Sequence, residues 1–202
     1  MKDWNSIRTD IRKQIPVRYN PYLHLLLPSC TALLLMVAAV NSTTISGIIF
    51  ISTWICLLFF EWFAHKYILH RPFWGLRKIF KQHSTHHLLY HHDRMAISSF
   101  REVYFVLIPL HSIMVLALTL TPLLLVISYF SINLCWNIIF ASMGFFIFYE
   151  SLHLIHHLPI PFFLRKYHQT HHNLRFMHKW NFNVTVPLAD KILKTLKKDE
   201  NI

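Results

Sequence analysis

Five histidines stand among the ten residues from His83 to His92, "HSTHHLLYHH", and the opening spacing of that stretch, H-x-x-H-H, returns at His168, His171 and His172. Imidazole is uncharged near neutral pH. It can give one ring nitrogen to a cation while the other is held by a hydrogen bond, which makes it the commonest metal ligand. Positions i, i+3 and i+4 share one face of a helix, so each box is expected to present three imidazoles in a single direction. His153 and His157, four apart, align likewise. His65 and His70 are five apart and diverge by roughly 140° on an ideal helix, so that pair has to straddle a helix end or bind from different angles. One structural zinc takes four ligands, and ten spaced histidines exceed that by enough to imply two metals with about five ligands each. Imidazole suits zinc, copper, iron and nickel alike, so the donors do not choose the element.

The elements that position these residues follow from charge and hydropathy. The chain has 202 residues, of which 54% are hydrophobic and only 14% charged, outside the norm for a soluble domain. No Asp, Glu, Lys or Arg occurs from 19 to 60 or from 103 to 149. Each block has room for two crossings of about 20 residues and a turn. The expectation is an all-α integral membrane protein, a single domain over 1–202. Its four transmembrane helices lie near 22–40, 45–63, 104–120 and 127–149, arranged as two hairpins. The breaks fall at the polar "NSTT" of 41–44 and at Thr121 and Pro122. Every Lys and Arg lies before, between or after the blocks, which four crossings place on one side together. By the positive-inside rule this puts both termini and a helical cap carrying the histidines on the cytoplasmic side. The net charge of +11 is then an orientation signal beside lipid headgroups, and no nucleic-acid module is needed to explain it. Residues 1–20 lack the apolar core of a cleavable signal, so insertion is expected to rely on the spans. Cys30, Cys56 and Cys135 fall inside the expected spans without metal-ligand spacing and read as small buried hydrophobes.

The chain states its pattern twice. Glu61 opens a histidine-rich segment after the first block and Glu150 opens another after the second, each leading to a spaced pair and then to H-x-x-H-H. This is a parallel two-fold repeat. Glu61 lies four residues before His65 and Glu150 three before His153, so either could accept the outer N–H of an imidazole; the alternative is an interfacial carboxylate offsetting nearby cations. His91, His92, His156 and His178 are not required by the repeat and read as pocket lining, reserve ligands or exposed neighbours. His24 and His111, isolated in apolar blocks, read as residues of packing, of a hydrogen bond or of a span end.

The boxes H-x4-H at 65 and 70, H-x-x-H-H at 83, H-x3-H at 153 and 157 and H-x-x-H-H at 168 together resemble the fatty acid hydroxylase and sterol desaturase superfamily. The stretch "NFNVTVPLAD" at 181–190 is similar to that family's N-F-G-V-T-x-P-L-W-D ending, with Asn183 and Ala189 in place of Gly and Trp. The resemblance runs from about Glu61 to Asp190. It implies a membrane di-iron enzyme that uses O2 and electrons from a partner to hydroxylate or desaturate lipid chains or sterols. The implied ligands are His65, His70, His83, His86, His87, His153, His157, His168, His171 and His172; His156 has no place in the pattern. Asp190 joins Glu61 and Glu150 as an outer residue. Zinc is a possible substitute for iron. No heme motif of the H-P-G-G type occurs, so a separate donor of cytochrome b5, ferredoxin or reductase type is expected, with the lipid substrate drawn from the bilayer. Trp62, Phe63, Trp74 and Trp180 read either as its approach or as an interfacial belt.

Lipid hydroxylation is the leading expectation and desaturation the alternative within the same superfamily. From another class, a metal transporter or metal-binding membrane protein would carry ionisable ligands near the bilayer midplane, where these blocks hold only two isolated histidines. A non-catalytic membrane anchor leaves the duplicated spacing unexplained.

Overall fold

The computed structural model describes residues 3–72 and 75–197; Trp74 of the expected aromatic approach lies outside them. Among the described residues the protein is helical, with no strand beyond one isolated bridge between His91 and Arg94. In chain order the helices are α1 (Trp4–Arg12), α2 (Pro21–Ser42), α3 (Gly47–Phe63) continued by a π turn (Ala64–Leu69), and α4 (Arg77–Leu89). After these come a 3-10 turn (Phe100–Glu102) running into α5 (Val103–Val106), then α6 (Leu110–Phe130), α7 (Ile132–His157), α8 (Arg165–His171) and α9 (Leu188–Ile192).

Four helices are long and apolar enough to cross a membrane: α2, α3 with its π turn, the segment ending in α6, and α7. A helix closes its backbone hydrogen bonds within itself, which hydrocarbon demands. Side-chain caps set where the long helices start. Asn20 accepts from the amides of Tyr22 at 3.0 Å and Leu23 at 3.1 Å, with Pro21 at the first helical position. Ser131 accepts from the Leu134 amide at 3.2 Å.

The second apolar block divides elsewhere than expected. Thr121 and Pro122 do not break the chain; Pro122 sits inside α6, and the Thr121 hydroxyl donates to the Ala117 carbonyl at 2.8 Å. The break is at Ser131, whose extended backbone ends α6 and caps α7. The third long helix therefore covers 110–130 rather than 104–120, and the fourth 132–157 rather than 127–149. Val103, Phe105, Val106 and Leu107 are buried in the cap instead of facing lipid. Pro109, which has no amide to donate, stands immediately before α6.

Helix α7 packs against α2, α3 and α6. Small residues permit the close approach: Ala32 and Ala39 on α2 and Ala141 on α7 are fully or nearly fully buried, and Gly144 of α7 faces Met36, Trp54 and Phe50. The Trp54 indole crosses from α3 to the Ala141 carbonyl at 2.9 Å. The outward faces carry Leu34, Ile48, Leu118 and Phe130, all exposed, an apolar surface of the kind that lipid would cover. Cys135 is buried, but Cys30 and Cys56 are exposed on such faces, contrary to expectation; a thiol is apolar enough for lipid.

At one end of the long helices, α4, α5, α8, α9 and the loops between them form a cap. Its apolar core is Ile11, Ile15, Leu89, Tyr90, Phe105 and Val106, so α1 is stitched to the cap. The stitch is reinforced by Glu102, fully buried, which accepts from Arg8 Nε at 2.7 Å, from Arg12 Nε at 2.6 Å and from the Ser98 amide at 3.0 Å.

Candidate metal centre

Two groups of imidazoles meet where the cap joins the long helices. His65, His70, His83, His87 and His171 form the first, and His86, His157, His168 and His172 the second; within each, the donor nitrogens all lie within 4.8 Å of one another. Either could hold a metal ion. The two abut, with the His87 and His172 rings 4.3 Å apart.

The pair five residues apart is aligned by a change of helix type. After Phe63 the chain widens into the π turn, whose i to i+5 repeat brings His65 and His70 to one side with rings nearly parallel and centroids 5.2 Å apart. This resolves the 140° divergence of an ideal α-helix.

The H-x-x-H-H boxes behave differently from expectation. Each divides its imidazoles between the groups instead of aiming three one way. In the first box His83 and His87 join the first group while His86 crosses to the second; in the later box His168 and His172 join the second while His171 crosses to the first. On a helix, i and i+4 diverge by about 40° one way and i+3 by about 60° the other, so two neighbouring centres can draw on one turn.

Within the groups the Nε2 atoms converge. His70 and His171 are 2.9 Å apart, His83 and His87 3.0 Å, His65 and His83 3.1 Å, and His70 and His83 3.2 Å. In the second group His86–His172, His157–His168 and His168–His172 are each 3.1 Å. Ligands about 2.1 Å from a shared ion stand about 3.0 Å apart at a right angle and about 3.4 Å apart at a tetrahedral one. The observed separations fall in or beside that range.

Backbone carbonyls decide which nitrogen is free. The Nδ1–H of His65 donates to the Phe182 carbonyl at 2.5 Å and that of His171 to Trp180 at 2.9 Å. In the second group His86 donates to Phe105 at 2.9 Å, His157 to Met95 at 2.7 Å and His172 to Tyr90. A carbonyl oxygen only accepts, so each of these five rings carries its proton on Nδ1 and directs an Nε2 lone pair inward. For His86 and His172 both lone pairs face each other across 3.1 Å. Protonation does not relieve that contact: burial first, then the neighbouring imidazoles, hold both rings well below the ordinary histidine range. A cation between them does relieve it. His70 is pushed down to about 2 by burial and by His65 and His178, and His83, His87, His168 and His171 are likewise depressed, burial leading.

The carbonyls come from two separate segments. The strap 180–185 serves the first group, through Trp180 and Phe182, and the segment 90–105 serves the second, through Tyr90, Met95 and Phe105. This corrects the partners expected of Glu61 and Glu150: among the described residues these carboxylates, and Asp190 with them, accept from backbone amides and hydroxyls and not from an imidazole. Glu61 takes the amides of Val184 at 2.5 Å and Thr185 at 3.0 Å and the Thr185 hydroxyl at 2.6 Å. Asp190 takes the amides of Phe182 at 3.0 Å and Asn183 at 2.7 Å and the Thr195 hydroxyl at 2.6 Å. Both hold the strap, one step further out. Glu150 takes the Ile108 amide at 3.2 Å. A carboxylate on a helix meets whatever donors pack on it, and here those are the loop amides. Asn183 also ties the strap to α3, its Nδ2 donating to the Leu58 carbonyl at 2.9 Å.

His153 is not in either group, but it is buried against the second, its ring 5.1 Å from those of His86 and His168, and neither of its nitrogens has a partner. Two orphaned nitrogens in a buried site fit a ring waiting on a cation. His156 donates from Nε2 to the Val184 carbonyl at 2.9 Å and packs on His168. His178 is exposed, with its ring 5.3 Å from His70. His91 and His92 lie apart with Asp93 on the surface, His91 bonding Asp93 at 2.6 Å. His24 is buried and bonded to Tyr19 and the Ile108 carbonyl, a structural role. Trp62 donates to Thr195 Oγ1 at 2.8 Å, Trp180 lends its carbonyl, and Phe63 is half exposed.

Sequence reasoning missed the five orienting carbonyls and the pairing of Arg8 and Arg12 with Glu102. Carbonyls carry no residue signature. Glu102 did have one, as an acidic residue at the edge of the second uncharged block. Comparison of the chain with protein-family models, with curated proteins and with solved structures finds no match.

Proposed function

We propose that the chain is a multi-pass membrane oxygenase that binds two neighbouring iron ions through these histidines and oxidises a C–H bond of a bilayer lipid. The simplest outcome is hydroxylation of an acyl or related chain. The observation that carries this reading is the His86–His172 contact, two lone pairs held face to face by backbone carbonyls in a buried site. The resemblance of the boxes and tail to the fatty acid hydroxylase and sterol desaturase superfamily supplies the chemistry. A bound di-iron pair would supply O2-dependent oxidation, in which one oxygen atom enters the C–H bond and the other leaves as water, with two electrons from a separate protein and two protons from solvent.

The chain's own residues bind and shelter. His65, His70, His83, His87 and His171 hold one ion. His86, His157, His168 and His172 would hold the other, with the unpartnered His153 beside them as a candidate fifth ligand. Leu89, Tyr90, Val103 and Phe182, all fully buried, keep water from the centre. The identical division of the two H-x-x-H-H boxes supports an internal duplication of hairpin and histidine segment. The confinement of Lys and Arg to the segments outside the spans supports a cytoplasmic cap and termini. Desaturation needs only a second hydrogen taken from the adjacent carbon and belongs to the same reading. Clustering at the helix ends rather than along the spans favours an enzyme over a transporter.

The test has two parts. Elemental analysis of gently purified protein is expected to find about two metals per chain, zinc being able to replace iron by the general affinity order. Lipid mass spectrometry of cells with and without the gene is expected to find a gain of one oxygen or a loss of two hydrogens. Protein free of bound metal, with unchanged lipids, sinks the proposal.

A further inference from the structure

An open groove of about 450 Å³ runs along the end of α3 and its π turn, lined by Phe63, Tyr67, Arg71 and Pro72. The turn that forms its wall also carries His65 and His70 into the first group. The groove is graded in polarity. Phe63 is half exposed and packs against Tyr67 with the rings tilted and centroids 5.2 Å apart, within a segment apolar enough to lie in the bilayer. That segment ends at Leu69, so Arg71 stands just past it, where a bilayer crossed by the segment would have its headgroups. The Arg71 guanidinium lies 5.2 Å from the Tyr67 ring centre, and among the described residues no carboxylate pairs with it. Lys66 adds a second positive charge over Trp62 and Tyr67.

We propose that this groove seats an anionic membrane lipid, its phosphate on Arg71 and the start of its acyl chain lying along the wall formed by Phe63 and Tyr67. The charge at one end and the aromatic wall at the other match the two ends of such a molecule, and the planar guanidinium suits a phosphate. Neutral and zwitterionic lipids are then poorer ligands. The proposal rests on the reading of the chain as a membrane protein acting on lipid, but lipid selection needs no bound metal, so the two can fail separately.

The test uses the full chain in nanodiscs of equal parts phosphatidate and phosphatidylcholine, followed by native mass spectrometry of the lipids that stay bound. Wild type is expected to retain phosphatidate preferentially. Arg71→Gln is expected to reduce that preference about tenfold and Arg71→Lys to restore part of it. Arg18→Gln, an exposed cation outside the groove, is expected to change it by no more than about twofold, and His86→Ala to leave it unchanged. Equal losses in the Arg71 and Arg18 variants, or no loss in either, overturn the proposal. A second measurement needs no variant: a photoactivatable phosphatidate is expected to label the Phe63–Pro72 peptide of the wild-type chain. Labelling spread evenly over the spans overturns the proposal as well.

Discussion

Because different segments orient the two imidazole groups, damage to one segment should empty one site and spare the other. Glu61→Ala is the sharpest perturbation. It removes the acceptor for two buried amides, Val184 at 2.5 Å and Thr185 at 3.0 Å, and for the Thr185 hydroxyl at 2.6 Å. Each orphaned amide costs about 1–3 kcal/mol, so seating of the strap weakens by about 2–6 kcal/mol, or roughly thirty-fold to twenty-thousand-fold. His65 and His171 then lose the carbonyls that fix their tautomers, which falls on the first group alone. Loss of outer partners of this kind typically lowers metal affinity by about 10- to 100-fold. The expected result is a metal content that falls from about two per chain toward one, read by elemental analysis after dialysis against a weak chelator. Glu61→Gln, which keeps one oxygen, should fall between. Glu102→Ala is the mirror experiment: it strands the buried Arg8 charge, costs about 3–5 kcal/mol, and loosens the segment whose carbonyls hold His86, His157 and His172. Its surviving metal should be bound by the other group, so the two variants should give different metal-site spectra. Equal loss from both sites in either variant, with all spans still inserted, refutes the partition.

Other consequences can be checked separately. His86→Ala or His171→Ala is expected to abolish lipid oxidation while leaving membrane insertion intact; retained activity removes that residue from the ligand set. Metal-free protein should be acid-sensitive. The cap histidines titrate below their usual range when folded but near 6.5 when exposed, so the open cap takes up protons that the closed cap refuses. Stability is therefore full above pH about 6.5 and is lost as pH falls below it, by up to ~1.4 kcal/mol per buried ring per pH unit. Hydrogen exchange of the 165–197 segment should rise steeply between pH about 6.5 and 5, and the rise should shift to lower pH on metal loading. A flat profile contradicts the burial argument. Thr185→Val removes only the hydroxyl bond to Glu61 and should cost about 1 kcal/mol in thermal unfolding of the cap, well short of Glu61→Ala.

Much of this architecture could be read from residue order. Uncharged blocks of fixed length announce helices that can cross a bilayer, because hydrocarbon tolerates neither charge nor an unpaired amide, and the histidine spacings mark which helix turns can bind a cation. The boundary inside the second block is hidden in the sequence because Pro122 looks like a breaker. Within a long apolar helix a proline loses one hydrogen bond and the helix continues, whereas Ser131 stops α6 and starts α7 through its backbone and hydroxyl. The division of each box between two groups depends on how the folded cap turns α4 and α8 toward the site, which packing sets. The pairing of His65 with His70 needed a π turn that spacing alone did not specify. The partners of the imidazoles were hidden for a plainer reason. Every residue owns a carbonyl, so nothing in the letters at 90, 95, 105, 180 or 182 distinguishes the oxygens that orient the site. Only the folded path of the chain brings those five carbonyls to the rings. The amino-acid order thus fixed the donor type and the apolar spans, while the tertiary structure decided which lone pairs face one another and what holds them there.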